Sequence, residues 1–183
     1  MFYVKWIPHS VVLSPVHFGP KLYSTITRLV ESSVEGTALS HYGYIIRVLE
    51  VPEDRMRGGV IEYDSGEVTY EVEYKALVFR PFKNEVVDSV VVDVNQLGFF
   101  AHLGPLRIFV SQHLFPSDVN GIEGGGFDGN SWVSEDGVVA IREGVGVRLA
   151  IIGATVEEGN ITAVGTINED FLGLIDVGEG EGM

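Results

Sequence analysis

The clearest pattern along the chain is an alternation of apolar and polar residues between positions 67 and 79. Apolar residues stand at every even position from Val68 to Val78, and polar residues stand between them from Thr69 to Lys75. Successive side chains of a strand point to opposite faces of its sheet, so this pattern predicts a long strand with one buried face. Shorter apolar runs predict further strands at residues 2–7, 11–13, 42–51 and 60–61.

One segment repeats its apolar residues at helical spacing instead. The residues that form this apolar face are Leu22, Ile26, Leu29 and Val30, and intervals of three and four positions are typical of one side of a helix. Pro20 fits the first turn, where its missing N–H leaves no hydrogen bond unmade, and Gly36 is placed to end the helix. The pattern predicts one helix that begins near Pro20.

The long strand stops at Pro81, because proline cannot donate to a strand ladder, and a domain boundary is predicted there. Beyond it, short β-rich runs recur at residues 86–94, 99–103, 106–110, 138–142, 147–156 and 161–167. Several short strands at this spacing predict a small barrel or sandwich. Together with the single helix, they predict a β-rich α+β protein.

Two segments lack any periodic pattern. Residues 116–137 are rich in Gly, Asp, Asn and Ser and predict a long loop of a functional or disordered kind. Residues 176–183 are acidic and glycine-rich, a composition typical of disorder. We therefore divide the chain into a domain of residues 1–80, a domain of residues 81–175 and a tail of residues 176–183.

Charge is distributed very unevenly along the 183 residues. The formal net charge is −14; residues 1–83 carry nine Lys and Arg against ten Asp and Glu, and residues 84–183 carry three against sixteen. Proteins that bind nucleic acid on their own are usually basic, because phosphate neutralisation dominates their affinity. The second part of the chain is therefore not expected to hold nucleic acid tightly by charge alone.

Several classes of protein are disfavoured by the sequence. The chain has no cysteine, which excludes disulfides and thiolate metal sites and fits a reducing compartment. No run approaches the roughly 18 apolar residues of a membrane span, and the N-terminus lacks the pattern of a signal peptide. No P-loop, nucleophile elbow or zinc-protease helix occurs. The five histidines are scattered, and no metal, cofactor or catalytic residue is predicted.

The most informative stretch for chemistry lies between residues 98 and 110. Gly98 allows a bend or a close approach at the start of a strand. By strand parity Phe100 and His102 point away from the barrel core, and Arg107 and Phe109 share their surface. Exposed aromatic rings can stack nucleic-acid bases, so these four residues are candidate RNA contacts. The alternative is that the two phenylalanines are core or interdomain contacts.

Short motifs also occur along the chain in a characteristic order. They are His17-Phe18-Gly19-Pro20 before the helix, Gly43-Tyr44-Ile45 in the next strand, residues 74–83 across the boundary, Gly98-Phe99-Phe100 after it, and residues 169–173 near the end. In order and spacing they resemble, over nearly the whole chain, the stalk-subunit family that comprises the seventh subunit of nuclear RNA polymerase II and its archaeal relative. Asn84 and Ser89 depart from this family, which usually has glycines there.

The resemblance implies a fold and a function. The fold is α+β and β-rich, with an N-terminal truncated ferredoxin-like (RNP-type) tip domain and a C-terminal OB-fold β-barrel. The function is that of a non-catalytic nuclear subunit without a cofactor, which supports transcription initiation. It forms a heterodimer with the fourth subunit, docks on the polymerase core near the clamp and weakly contacts nascent single-stranded RNA.

Two glycine-rich loops of the tip domain are candidates for docking on the core. Their residues are His17, Phe18, Gly19, Pro20, Arg57, Gly58, Gly59 and Gly66. Loops at the ends of strands and helices commonly carry recognition, and the alternative is that these are ordinary turns. Two other functions remain open: a free-standing single-stranded RNA-binding factor, and the equivalent subunit of RNA polymerase I or III. Residues 79–83 and the ending Phe171-Leu172-Gly173 favour polymerase II.

Overall fold

The computed structural model describes residues 1–117, 119, 126–135, 137, 139–157 and 159–175. The chain separates into two compact units, of which Met1–Arg80 form most of the first and Pro81–Val156 form most of the second. The acidic tail predicted at residues 176–183 lies outside the described residues.

The first unit is an antiparallel sheet with one helix. Its elements are β1 (Phe2–Leu13), α1 (Leu22–Val34), β2 (Ala38–Leu39), β3 (Gly43–Glu50), β4 (Met56–Ile61) and β5 (Val68–Phe79). The central strand is β5, which pairs with β1 along its full length on one side and with β3 and β4 on the other. Val72, Tyr74, Ala76 and Val78 are buried, so the predicted alternation of β5 is confirmed.

The helix covers one face of this sheet. Ile26, Val30 and Val34 are buried against the core that β1, β3 and β5 form, and each such side chain contributes about 1.5–3 kcal/mol by leaving water. The chain leaves the helix through Gly36, whose φ of 78° lies in the left-handed region that favours glycine. The predicted helix and its end are therefore confirmed.

One prediction in this unit was wrong. Residues 2–7 and 11–13 were predicted as two strands, but β1 is one continuous strand of 12 residues that includes Pro8. Among the described strands β1 pairs with β5 alone. Proline is tolerated on such an edge strand, because its missing N–H can face the side that has no partner.

In its described residues the second unit contains nine further strands. They are β6 (Val86–Asn95), β7 (Gly98–Leu103), β8 (Leu106–Ser111), β9 (Gly126–Phe127), β10 (Trp132–Val133), β11 (Ala140–Ile141), β12 (Gly146–Glu157), β13 (Asn160–Thr166) and β14 (Gly173–Leu174). Five of them close into a barrel in the order β6, β7, β8, β13, β12 and back to β6, with β8 and β13 parallel. A five-stranded barrel with this connectivity is the OB fold. The predicted fold class is therefore confirmed.

The start of β7 lies unusually close to β8. Gly98 has a φ of 145°, and a Cβ atom at this position would lie 2.0 Å from the carbonyl oxygen of Val110. Neither the backbone angle nor the space admits a side chain. The close approach predicted at Gly98 is confirmed, and it brings β7 onto β8 at the level of the buried Phe99.

The long loop predicted at residues 116–137 contains structure. In its described part β9 and β10 pair with each other, and β10 also pairs with β11. The indole of Trp132 is buried and packs on Phe115 and Phe127, and its N–H donates a hydrogen bond of 2.9 Å to the carbonyl of Asn95. One large buried aromatic thus offsets a composition that otherwise favours a loop.

Asn84 explains one of the departures from the family pattern. Its φ is 64°, and its backbone N–H donates a hydrogen bond of 2.7 Å to Ile151. Asparagine tolerates this left-handed region better than most residues. We expect Asn84→Gly to keep or raise the free energy of unfolding, and Asn84→Val to lower it by about 1–2 kcal/mol. Urea denaturation measures both, and equal stability of the two variants would contradict the expectation.

Candidate nucleic-acid interface

The hairpin of β7 and β8 brings together the four residues predicted to contact RNA. In its register Phe100 lies opposite Phe109 and His102 lies opposite Arg107. His102 and Arg107 are exposed and the two phenylalanines are half-buried, whereas Phe99 on the other face of β7 is fully buried. All four side chains therefore lie on the outer face of the barrel, as strand parity predicted.

The three larger side chains of this group contact one another. The ring centroids of Phe100 and Phe109 are 4.9 Å apart with an interplanar angle of 43°. The guanidinium carbon of Arg107 lies 4.1 Å from the centroid of the Phe100 ring. A cation at this distance from an aromatic face is attracted by about 0.5–1 kcal/mol at an exposed site. The rings are half-buried because they pack on neighbours on the outer face, and not because they enter the barrel core.

The surface continues onto strands that the sequence pattern did not connect with it. Thr162 and Val164 of β13 lie opposite Arg107 and Phe109 of β8. A shallow cleft of about 580 Å³ adjoins these residues. It is lined by Phe109, Ile152, Gly153, Ala154, Thr155, Thr162, Ala163 and Val164. The exposed side chains of Ile152 and Val164 make this part of the face apolar. Local pattern could not find them, because β8 and β13 are far apart in the chain.

Positive charge is scarce around this surface. The three basic residues of positions 84–183 are Arg107, Arg142 and Arg148. Arg148 donates to both carboxylate oxygens of Asp88, at 2.7 and 2.9 Å, and these hydrogen bonds hold the pKa of Asp88 below its usual range. Arg107 is thus the cation that stands on the aromatic surface itself.

The two loops predicted to dock on the polymerase core lie side by side. Leu13 at the end of β1 pairs with Val68 at the start of β5. The short turn Pro15–His17 follows β1, and a Cβ atom at Gly66 would lie 3.6 Å from the ring of Pro15. The turn after β4, which contains Gly66, therefore lies beside the segment that contains His17, Phe18, Gly19 and Pro20. All four of these residues are exposed. Arg57, Gly58 and Gly59 were predicted in a loop, but they lie within β4.

The structure separates the roles of the two glycines in β4. Gly58 and Gly59 lie in a bulge between Arg57 and Val60, which pair with β5 on either side of it. A Cβ atom at Gly59 would lie 2.0 Å from Val68, whereas nothing lies within 4 Å of one at Gly58. Gly59 is therefore required by the close approach to β5, and Gly58 is free to carry a side chain.

Sequence reasoning missed the apolar character of this end of the sheet. Among the large apolar side chains exposed there are Val16, Phe18, Val60, Ile61 and Tyr63. Tyr63 is 99% exposed and Ile61 is 69% exposed. We call these five residues the tip patch. Clusters of this kind commonly mark a protein–protein interface, and alternating pattern alone does not tell which apolar residues stay in water.

The structure also bears on metal sites and membrane spans. Among the described residues, no group of three or more His, Asp or Glu side chains is arranged to hold a metal ion. Within the same residues, no helix is both long and apolar enough to cross a membrane.

Comparison with known proteins identifies relatives of the whole chain. A family model described as the S1 RNA binding domain matches residues 80–163. DNA-directed RNA polymerase II subunit rpb7 of Dictyostelium discoideum is 42% identical over 179 residues, which are 96% of this chain and 99% of that protein. Subunit RPB7 of the same polymerase from Saccharomyces cerevisiae is 36% identical over 176 residues, 96% of this chain and 100% of that protein.

An archaeal protein extends the relationship. DNA-directed RNA polymerase subunit Rpo7 of Sulfolobus acidocaldarius is 23% identical over 169 residues, 91% of this chain and 88% of that protein. The resemblance inferred from the short motifs is confirmed. Because the two polymerase II subunits are more than 30% identical to it over nearly its full length, the chain belongs to the family of the seventh subunit of DNA-directed RNA polymerase II.

Proposed function

We propose that this chain is a non-catalytic stalk subunit of nuclear RNA polymerase II. It docks on the polymerase core near the clamp through the loops of its first unit and pairs with the fourth subunit. Its barrel contacts nascent single-stranded RNA and so supports transcription initiation. The support for the assignment to the polymerase is the full-length similarity to two polymerase II subunits. In this role the chain uses no catalytic residue, metal or cofactor.

The observation that carries the RNA contact is the cluster on the outer face of the barrel. Phe100 and Phe109 touch each other there, Arg107 covers one of them, and His102 lies beside them in register. This cluster belongs to the part of the chain that matches the S1 RNA binding domain. Aromatic groups on a barrel surface support bases whatever their sequence, since every base has a π-face.

The charge of the barrel unit limits how tightly it holds RNA alone. Residues 84–183 carry sixteen acidic against three basic residues, and one of the three, Arg148, is engaged by Asp88. Few phosphates can be neutralised, so affinity should be weak and should fall only gradually with added salt. We propose that the fourth subunit supplies the missing positive potential, and that the heterodimer binds single-stranded RNA more tightly than the isolated chain.

The test removes both rings in the heterodimer. We expect Phe100→Ala with Phe109→Ala to weaken binding of a labelled single-stranded RNA by about 1–3 kcal/mol for each stacked base that is lost. Fluorescence anisotropy measures the affinity. The matched control is Phe171→Ala, which removes a phenyl ring of the same unit that is 94% exposed.

Two outcomes would count against this RNA surface. If the double variant unfolds at a much lower temperature than the wild type, the two rings serve packing, and the alternative that they are core or interdomain contacts is favoured. If the variant folds normally and binds RNA as tightly as the wild type, the RNA path lies elsewhere on the protein.

A further inference from the structure

We propose that a base bound at this surface stacks on the guanidinium group of Arg107, with Phe100 and Phe109 as the support beneath it. The surface then holds one base. This inference rests on the proposed contact with single-stranded RNA and names the residue that makes it.

The first reason is the lack of space between Arg107 and Phe100. The guanidinium carbon lies 4.1 Å from the ring centroid. Stacked bases are spaced about 3.4 Å apart, so a base inserted between the two groups would need a separation of about 7 Å. A base therefore reaches this face of Phe100 only if Arg107 leaves it, which breaks an existing cation–π contact.

The second reason is the angle between the two rings. Phe100 and Phe109 are inclined by 43°, with centroids 4.9 Å apart, so they do not form one flat plane on which a base could lie. Phe109 is also flanked on its other side by Val164 of β13, its partner in the register. Both rings are half-buried by these contacts.

Arg107 has the properties that the rings lack at this position. It is exposed, and its register neighbours on the two adjacent strands, His102 and Thr162, are exposed as well. A guanidinium group is planar and weakly hydrated, and it stacks on aromatic faces. With Phe100 on one side, its other side is available to a base. A lysine carries the same charge without this plane.

The test compares two substitutions of Arg107 in the full chain, at low ionic strength where binding is strongest. Arg107→Lys keeps the charge and removes the plane, and Arg107→Ala removes both. We expect both variants to bind a labelled single-stranded RNA about 5- to 150-fold more weakly, the loss of one stacked base. For Arg107→Lys the dependence of affinity on salt should stay that of the wild type. The matched controls are Arg142→Lys and Arg142→Ala at another exposed arginine of this unit.

Other results would overturn the inference in distinguishable ways. If Arg107→Lys binds like the wild type while Arg107→Ala binds weakly and with a shallower salt dependence, Arg107 contacts a phosphate. If neither substitution weakens binding but Phe100→Ala with Phe109→Ala does, the rings themselves are the platform. If neither the arginine variants nor the double phenylalanine variant loses affinity, the RNA surface of the proposed function is itself wrong.

Discussion

Replacing Gly98 with alanine is expected to lower the free energy of unfolding by about 2–6 kcal/mol. The added Cβ would lie 2.0 Å from the carbonyl oxygen of Val110 and 3.0 Å from the Cα of Ser111, both of which are backbone atoms that cannot rotate away. Overpacking and a backbone angle that side chains rarely adopt cost about 1–3 kcal/mol each. Since small domains are stable by only about 5–15 kcal/mol in total, urea denaturation should show a large shift of the midpoint.

Two other glycines separate the contributions of angle and space. Gly104 has a φ of 58° but nothing within 4 Å of its Cβ position, so Gly104→Ala should cost about 1–2 kcal/mol. Gly153 also has open space, without a positive φ, and Gly153→Ala should change stability by less than about 0.5 kcal/mol. If Gly98→Ala were no more destabilising than Gly153→Ala, the close approach of β7 to β8 would be wrong.

Removing the apolar side chains of the tip patch is expected to release the subunit from the polymerase. Ile61 and Tyr63 are largely exposed in the chain, so substituting both by alanine should leave its unfolding unchanged. Anchor residues at protein interfaces cost about 2 kcal/mol or more when truncated, which is roughly a 30-fold loss of affinity for one of them. We expect the double variant to copurify with the polymerase core much less than the wild type does.

Two further variants sharpen this experiment. Leu97→Ala removes another exposed apolar side chain, in the turn between β6 and β7, and should leave copurification unchanged. Arg57→Glu with Gly58→Leu places a reversed charge and a larger side chain where the structure has room, and should weaken docking without unfolding the chain. If the Ile61/Tyr63 double variant and the Arg57/Gly58 double variant both copurify normally, these segments are ordinary turns. A wild-type chain that does not copurify with the polymerase would favour a free-standing RNA-binding factor.

The sequence predicted those parts of the fold whose cause is local. The alternation in β5, the helical spacing of Ile26 and Val30, and the outward direction of Phe100 follow from periods of two and of 3.6 residues. The family was inferred from the order and spacing of short motifs, and the similarity to a polymerase II subunit over nearly the whole chain confirmed it. These predictions needed no knowledge of which strands become neighbours.

The parts that were missed depend on distant contacts. The β9–β10 pair is held in place because Trp132 packs on Phe115 and donates a hydrogen bond to the carbonyl of Asn95. The cleft beside the aromatic cluster exists because Val164, on β13, pairs with Phe109 on β8. The composition of either segment contains no signal for its partner, so only the folded topology could supply it.

The parallel pairing of β8 with β13 also has a consequence during synthesis of the protein. The ribosome completes β6, β7 and β8 about 50 residues before it reaches β13, an interval of roughly 3–10 s at 5–20 residues per second. Throughout that interval β8, whose sequence is Leu-Arg-Ile-Phe-Val-Ser, has an unpaired edge of the kind that recruits other strands. During that interval the edge of β8 is open to pairing with other strands, and the barrel can close only once β13 has been made.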